Sequence, residues 1–196
     1  MVILDDVISK TYQEHIKELL FSVPWYLKET LDENTNFDER ETFVDVPGWA
    51  NVIFNDGGVM HRELFNAITP LAYIACKKIN FNIQELMYIR TFFQQPYPGK
   101  QGITNPHVDI DDEKHLVCLY YVVDADGDTV FFDKRNDNLD SNRPSFLEYN
   151  IIKSVTPKQG RCVLFDGRQY HATTLPQKGK RCVINFNLGG TGDIIS

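Results

Sequence analysis

The sequence predicts a mainly β domain, an antiparallel sandwich or jelly roll backed by helices. Three observations carry this. The first part of the chain holds two stretches with helical apolar spacing, while most of the remainder breaks into eight or so short apolar, β-branched and aromatic runs. Those runs are separated by glycine, proline, aspartate and asparagine turn signals. No internal repeat, low-complexity segment or second domain interrupts the 196 residues, a length suited to one domain with a substantial core. The expected division is 1–82 as helical support with lead-in strands and 83–190 as the β core.

Residues 2–8 read as a short lead-in strand. Ser9 is placed to cap a helix in which Tyr12, Ile16, Leu19 and Leu20 recur at helical spacing, with Pro24 beyond its end. The polar run 33–40 (ENTNFDER) reads as a loop. Two apolar pieces within 42–54, split by Pro47-Gly48, suggest strand segments, and Asn55-Asp56-Gly57-Gly58 a turn. A second helix is expected over 61–78, with Leu64, Ala67, Ile68, Leu71, Ala72 and Ala75 on one side. Pro70 should kink or divide it, because proline removes a backbone donor and crowds the preceding turn. His15 and His61 read as ordinary helix residues.

Residues 86–94 (LMYIRTFFQ) read as a long strand, followed by the turn Tyr97-Pro98-Gly99 and a short strand at 107–110. Asp111-Asp112-Glu113 is a solvated turn and His115 a strand-edge residue. The run 115–123 (HLVCLYYVV) is a buried strand, and Asp126-Gly127 suggests a tight turn to its partner, 128–133. The polar stretch 134–145, with Arg135 and Arg143, is a surface loop that could fold over a pocket or simply connect. Strands come next at 149–155, 161–166, 170–174 and 181–188, the last ended by Gly189-Gly190-Thr191-Gly192.

Composition narrows the function. An apolar fraction of 42% and a charged fraction of 24% suit a soluble globular chain. The formal charge of −7 argues against a broad nucleic-acid footprint. The first residues, MVILDDVISKTY, carry two acids and no basic lead-in, unlike a secretory signal. No apolar run approaches the roughly 20 residues of a membrane-spanning helix. Cys76, Cys118, Cys162 and Cys182 lie far apart with no C-x-x-C pair, so free buried thiols and a cytoplasmic setting are expected.

The chemistry gathers at His107-Val108-Asp109. On a strand, alternate side chains share a face about 6.6–6.8 Å apart, which would aim one imidazole and one carboxylate the same way. His171 offers a second imidazole from a later strand. Two histidines and one carboxylate with open positions is the ligand set of non-haem Fe(II) oxygenases. By alternation Arg181, Val183, Asn185 and Asn187 share one face of the last strand and Cys182, Ile184 and Phe186 the other. Lys180 then faces away from Arg181.

The run 97–188 resembles the Fe(II)- and 2-oxoglutarate-dependent dioxygenases, most closely their prolyl-4-hydroxylase-like branch. Tyr97-Pro98-Gly99 stands before the H-x-D, a strand ending in Tyr120-Tyr121 comes after it, and His171, Pro176, Gly179 and Arg181 keep the distal pattern. The resemblance implies a double-stranded β-helix (a cupin-like jelly roll) with the N-terminal helices packed on its major sheet. It implies His107, Asp109 and His171 as ligands of Fe(II), and Arg181 as partner of the far carboxylate of 2-oxoglutarate. Tyr121 and Tyr97 are candidates to complete that cradle, although Tyr121 in an apolar strand equally suits the core. With O2, the co-products would be succinate and CO2, and the substrate a prolyl or other protein or amino-acid C–H. The alternatives are an oxidative demethylase of nucleic acid of the alkylation-repair type, or a non-catalytic cupin-like metal-binding or sensor protein. Cupin sites need no basic residue on the closing strand, so Arg181 favours the enzyme.

Overall fold

The computed structural model describes residues 1–29, 43–139 and 149–193. In chain order these form β1 (Val2–Leu4), α1 (Lys10–Ser22), β2 (Tyr26–Lys28), β3 (Gly48–Asn55), β4 (Gly58–Val59), α2 (Arg62–Lys78) and β5 (Asn82–Gln94). Next come β6 (Leu116–Tyr121), β7 (Thr129–Arg135), β8 (Ile151–Val155), β9 (Cys162–Asp166), β10 (Gln169–Thr173) and β11 (Arg181–Thr191). The expected loop at 33–40, and 140–145 of the second loop with Arg143, lie outside the described residues.

The strands make two antiparallel sheets. The major one runs β1-β9-β6-β11-β5-β3-β2, with β4 paired to β3, and the minor one runs β10-β7-β8. This is the jelly-roll architecture expected, with both helices on the outer face of the major sheet. Ile16 and Leu20 of α1 and Leu64, Ile68, Leu71 and Ala75 of α2 pack there against Cys118, Cys162, Ile184 and Phe186. All four cysteines are free and buried, and all four belong to this helix-side core. A second core lies between the sheets, where Val117, Leu119, Tyr121, Val163, Phe165 and Val183 meet Phe131 and Val155.

Local signals behave as physics requires. The Ser9 hydroxyl accepts the Tyr12 amide at 3.3 Å, capping α1. Gly99 has φ +74°, a left-handed conformation that a side chain disfavours, and the turn closes with the Lys100 amide donating to the Tyr97 carbonyl at 3.1 Å.

Four expectations are corrected. α2 runs unbroken through Pro70, whose neighbour Thr69 donates its hydroxyl to the Phe65 carbonyl at 2.6 Å; burial of the apolar stripe outweighs one missing backbone donor. The turn at Asp126-Gly127 does not close a hairpin. β6 pairs with β9 and β11, whereas β7 crosses to the other sheet, because every residue of β6 is buried and its two edges are already taken. β11 continues through Gly189 and Gly190 to Thr191 with register shifts. A Cβ at Gly190 would stand 2.1 Å from the Asn82 carbonyl, so glycine there admits the partner strand and does not end the sheet. His115 is fully buried beneath Gly167 and not at an edge.

Candidate metal centre

Four pieces of chain meet between the sheets: the inner face of β11, β10, the centre of β5, and the segment 103–109. That last segment is not the regular strand expected. It touches β10 through isolated bridges, with the Thr104 amide donating to the Thr173 carbonyl at 2.8 Å and His107 paired to His171. Pro106 has no amide to donate, so the ladder lapses there and resumes at His107. His107 and His171 exchange both backbone hydrogen bonds, at 2.9 and 3.0 Å, and their rings lie 4.5 Å apart.

This pairing brings His107, Asp109 and His171 together. One ligand atom from each lies within 4.8 Å of the others, close enough to share one metal ion. Nδ1 of His107 lies 3.1 Å from the Asn105 carbonyl, and Nδ1 of His171 3.1 Å from the Gln169 carbonyl. A carbonyl only accepts, so each Nδ1 carries the proton and each Nε2 presents its lone pair to the shared space. Burial, then the neighbouring His107, pushes His171 down to about 4, which keeps its imidazole neutral and able to ligate.

The Asp109 side chain is fully buried. Burial alone would raise its pKa, but the charges of Arg90, His171 and His107 and the Asn185 amide outweigh it and hold the carboxyl well below the usual range. Oδ1 accepts from the Arg90 guanidinium and, at 3.0 Å, from Asn185 Nδ2. Oδ2 has no hydrogen-bond partner among the described residues and stands 3.7 Å from His171 Nε2. A buried carboxylate oxygen without a partner is costly unless something electropositive completes it. Two imidazole lone pairs and that oxygen, converging on one point, fit an iron ion.

A second cluster lies further along the same face of β11. Arg181 is 4% exposed and pairs with no carboxylate among the described residues. Its Nε donates to the Gly127 carbonyl at 3.1 Å and its Nη2 to Thr129 Oγ1 at 2.9 Å. The Tyr121 hydroxyl donates to the same Thr129 oxygen at 2.7 Å, and the guanidinium carbon lies 5.9 Å from the Tyr121 ring centre. A buried cation held this way suits a carboxylate guest. Lys180 faces away as expected, its ammonium 4.1 Å from the ring centre of Phe21 on the helix side.

Tyr97 does not join this cluster. Its turn leaves the ring 42% exposed, with the Lys100 ammonium 5.8 Å from the ring centre. Arg135, expected in the polar loop, is instead the last residue of β7 in the second sheet, where it is held in ion pairs with Asp137 and Asp166. Three residues of the site carry no role that the sequence alone assigns. Asn185 was expected on the inner face. Arg90 was a lone cation in an aromatic strand, a signal that alternation with Asn185 could have exploited. Thr129 carried no signal.

The family model described as the 2OG-Fe(II) oxygenase superfamily matches residues 92–189, half of the chain. The chain belongs to this superfamily. Members are oxidoreductases that work with Fe(II) and 2-oxoglutarate, and both the His-Asp-His cluster and the buried Arg181 fall inside the matched span. Among solved structures, an oxidoreductase of the 2OG-Fe(II) oxygenase family from Burkholderia pseudomallei superposes with TM-score 0.65 at 10% identity, covering 100% of this chain and 88% of its own. The non-haem α-ketoglutarate-dependent epimerase SnoN from nogalamycin biosynthesis gives TM-score 0.64 at 14% identity, covering 95% and 77%. A prolyl hydroxylase from Trichoplax adhaerens, solved with a peptide fragment of the hypoxia inducible factor oxygen degradation domain, gives 0.56 at 15%, covering 95% and 82%. At such identities the likeness is one of fold. A search of curated proteins found no significant match. Among the described residues no helix is long and apolar enough to cross a membrane.

Proposed function

We propose that this superfamily member is a hydroxylase of a prolyl or other protein or amino-acid C–H, with the chain acting as one oxygenase domain. His107, Asp109 and His171 hold Fe(II), and Arg181 grips the far carboxylate of 2-oxoglutarate. The observation that carries this reading is the convergence of two imidazole Nε2 atoms and of Asp109 Oδ2, which has no hydrogen-bond partner among the described residues, on the same sheet face as a buried Arg181 that makes no ion pair among them. When bound, the metal and co-substrate supply the oxidative decarboxylation that converts 2-oxoglutarate and O2 to succinate and CO2 while inserting oxygen into a C–H bond.

The chain's own groups do the rest. The Asn105 and Gln169 carbonyls fix the imidazole tautomers. Thr129 orients Arg181 and at the same time takes the Tyr121 hydroxyl, so Tyr121 acts on the cradle through Thr129. Phe131 and Phe165 flank His171, with ring centres 6.2 and 4.9 Å away, and keep water from that side of the site. An acidic residue at 109 supports hydroxylation over halogenation, for which related enzymes leave that ligand position to chloride. The prolyl preference rests on the prolyl-hydroxylase-like spacing of Tyr97-Pro98-Gly99, His107, His171 and Arg181, and on a fold shared with prolyl hydroxylases.

Two measurements test it. Fe(II)-dependent succinate release should occur in the wild type and, with 2-oxoglutarate held near the wild-type KM, fall steeply in Arg181→Ala. Proline-bearing peptides incubated with Fe(II), 2-oxoglutarate and O2 should gain one oxygen atom by mass. Succinate release with no peptide modified would move the substrate elsewhere; iron binding without succinate would leave a metal-binding protein in place of an oxygenase.

A further inference from the structure

We propose that Arg90 and Asn185 form a clamp on Asp109 that restricts it to binding metal through a single oxygen. The inference rests on His107, Asp109 and His171 being the metal ligands and adds two positioning residues to them. The two carboxylate oxygens live in different surroundings. Oδ1 accepts from both Arg90 Nη2 and Asn185 Nδ2, while Oδ2 accepts from none of the described residues and is the oxygen nearest His171 Nε2. A carboxylate with one oxygen saturated by a cation and an amide has only the other to give.

The clamp is itself held. Arg90 and Asn185 are direct cross-strand partners on β5 and β11, so both donors reach Asp109 from adjacent positions of one rigid sheet. The next residues on that face, Asn187 and Tyr88, support each donor in turn. Asn187 Nδ2 donates to Asn185 Oδ1 at 3.3 Å, which turns the Asn185 amino group toward Asp109. The Arg90 guanidinium carbon lies 5.3 Å from the Tyr88 ring centre and 5.0 Å from that of Phe92, which narrows its freedom to swing away. A one-oxygen ligand keeps an additional coordination position open for co-substrate and O2.

Co(II), a spectroscopic stand-in for iron, tests the clamp without turnover. The double variant Arg90→Met/Asn185→Ala should bind Co(II) about 10- to 100-fold more weakly, the usual cost of lost outer-shell partners. Its visible spectrum should shift, and X-ray absorption should count one more oxygen per cobalt, as Oδ1 joins the metal. Arg90→Lys/Asn185→Ala, which restores a cationic donor to the same background, should return the spectrum toward wild type; a merely structural role would not show that rescue. Should the double variant not fold, Arg90→Gln, which removes the charge and retains a donor, should still shift the spectrum. Variants that match the wild type in both spectrum and affinity overturn the clamp, as does Arg90→Lys/Asn185→Ala behaving like Arg90→Met/Asn185→Ala. A wild-type protein that takes up no Co(II) overturns the metal site itself.

Discussion

Asp109 and His171 approach to 3.7 Å, Oδ2 to Nε2, inside a protein where each is already held by something else. Asp109 is gripped through its other oxygen by Arg90 and Asn185, and His171 through its other nitrogen by the Gln169 carbonyl. The atoms that face one another, Oδ2 and Nε2, are therefore the ones that the surrounding hydrogen bonds leave over.

It follows that Asp109→Ala should abolish tight metal binding while leaving the protein folded. Loss of an outer-shell partner alone costs about 10- to 100-fold in affinity, so loss of the ligand should exceed that range. Anaerobic Fe(II) titration with circular dichroism on the same sample checks both halves. Global unfolding would mean that Asp109 is structural.

Arg181→Ala should raise the KM for 2-oxoglutarate by roughly 10- to 100-fold, the span expected for one hydrogen-bonded charge contact of about 1.5–3 kcal/mol. Thr129→Ala should do the same more mildly, since it frees Arg181 from one of its anchors without removing the charge. Steady-state succinate assays distinguish the two, and an unchanged KM in both would remove Arg181 from the co-substrate pocket.

Fe(II) with 2-oxoglutarate under anaerobic conditions should stabilise the native state by mass action. At a hundredfold excess over Kd the gain is about 2.7 kcal/mol, on the order of 5–10 °C in Tm for a domain of this size. Thermal scans with and without co-substrate read it, and Arg181→Ala should lose the part due to 2-oxoglutarate.

The N-terminal strand gives a pH dependence far from the metal. Arg161 donates to Asp5 at 2.7 and 3.1 Å; this hydrogen bonding outweighs burial and, helped by Lys158, draws Asp5 from 3.8 down to about 2. A depressed carboxylate stabilises the fold fully above its unfolded value, and the contribution is lost as pH falls from about 3.8 toward 2. Asp5→Asn should flatten the denaturation profile in that window and leave its slope near neutrality unchanged. The effect should be modest, because the side chain is 38% exposed and screened by solvent.

Gly190→Ala should destabilise by about 1–3 kcal/mol, typical of forced overpacking, because its new Cβ would meet the Asn82 carbonyl at 2.1 Å and the Phe81 ring at 2.9 Å. Urea denaturation measures it. A neutral result would mean that β11 and β5 part easily beyond Leu188.

The architecture and most of the site could be read from residue pattern because the deciding signals are local. β11 is regular from Arg181 to Asn187, so period-two alternation places Arg181 and Asn185 inward and Lys180 outward. His107 and Asp109 do converge, though not for the reason alternation offers: Pro106 breaks the ladder, and pairing of His107 to His171 across the fold sets the geometry. The β6–β7 hairpin failed for the opposite reason. Asp126-Gly127 is a sound turn signal, but which sheet a strand joins depends on which edges remain open, and that is a property of the assembled fold. Arg90 stands out in the sequence as a lone cation in an aromatic strand, but its partner Asp109 lies across the space between the sheets, so spacing alone does not pair them.

The placement of the cysteines carries a last consequence. All four lie behind the major sheet, on the side away from the His-Asp-His cluster; burial pushes the Cys182 thiol up to about 12 and raises that of Cys76, while a hydrogen bond with Cys162, then burial, raises that of Cys118. Protonated sulfur is a poor ligand and a slow nucleophile. The β-structure of the major sheet thus stands between the four thiols and the His-Asp-His cluster, so chemistry proposed for that cluster would meet aromatic rings before sulfur.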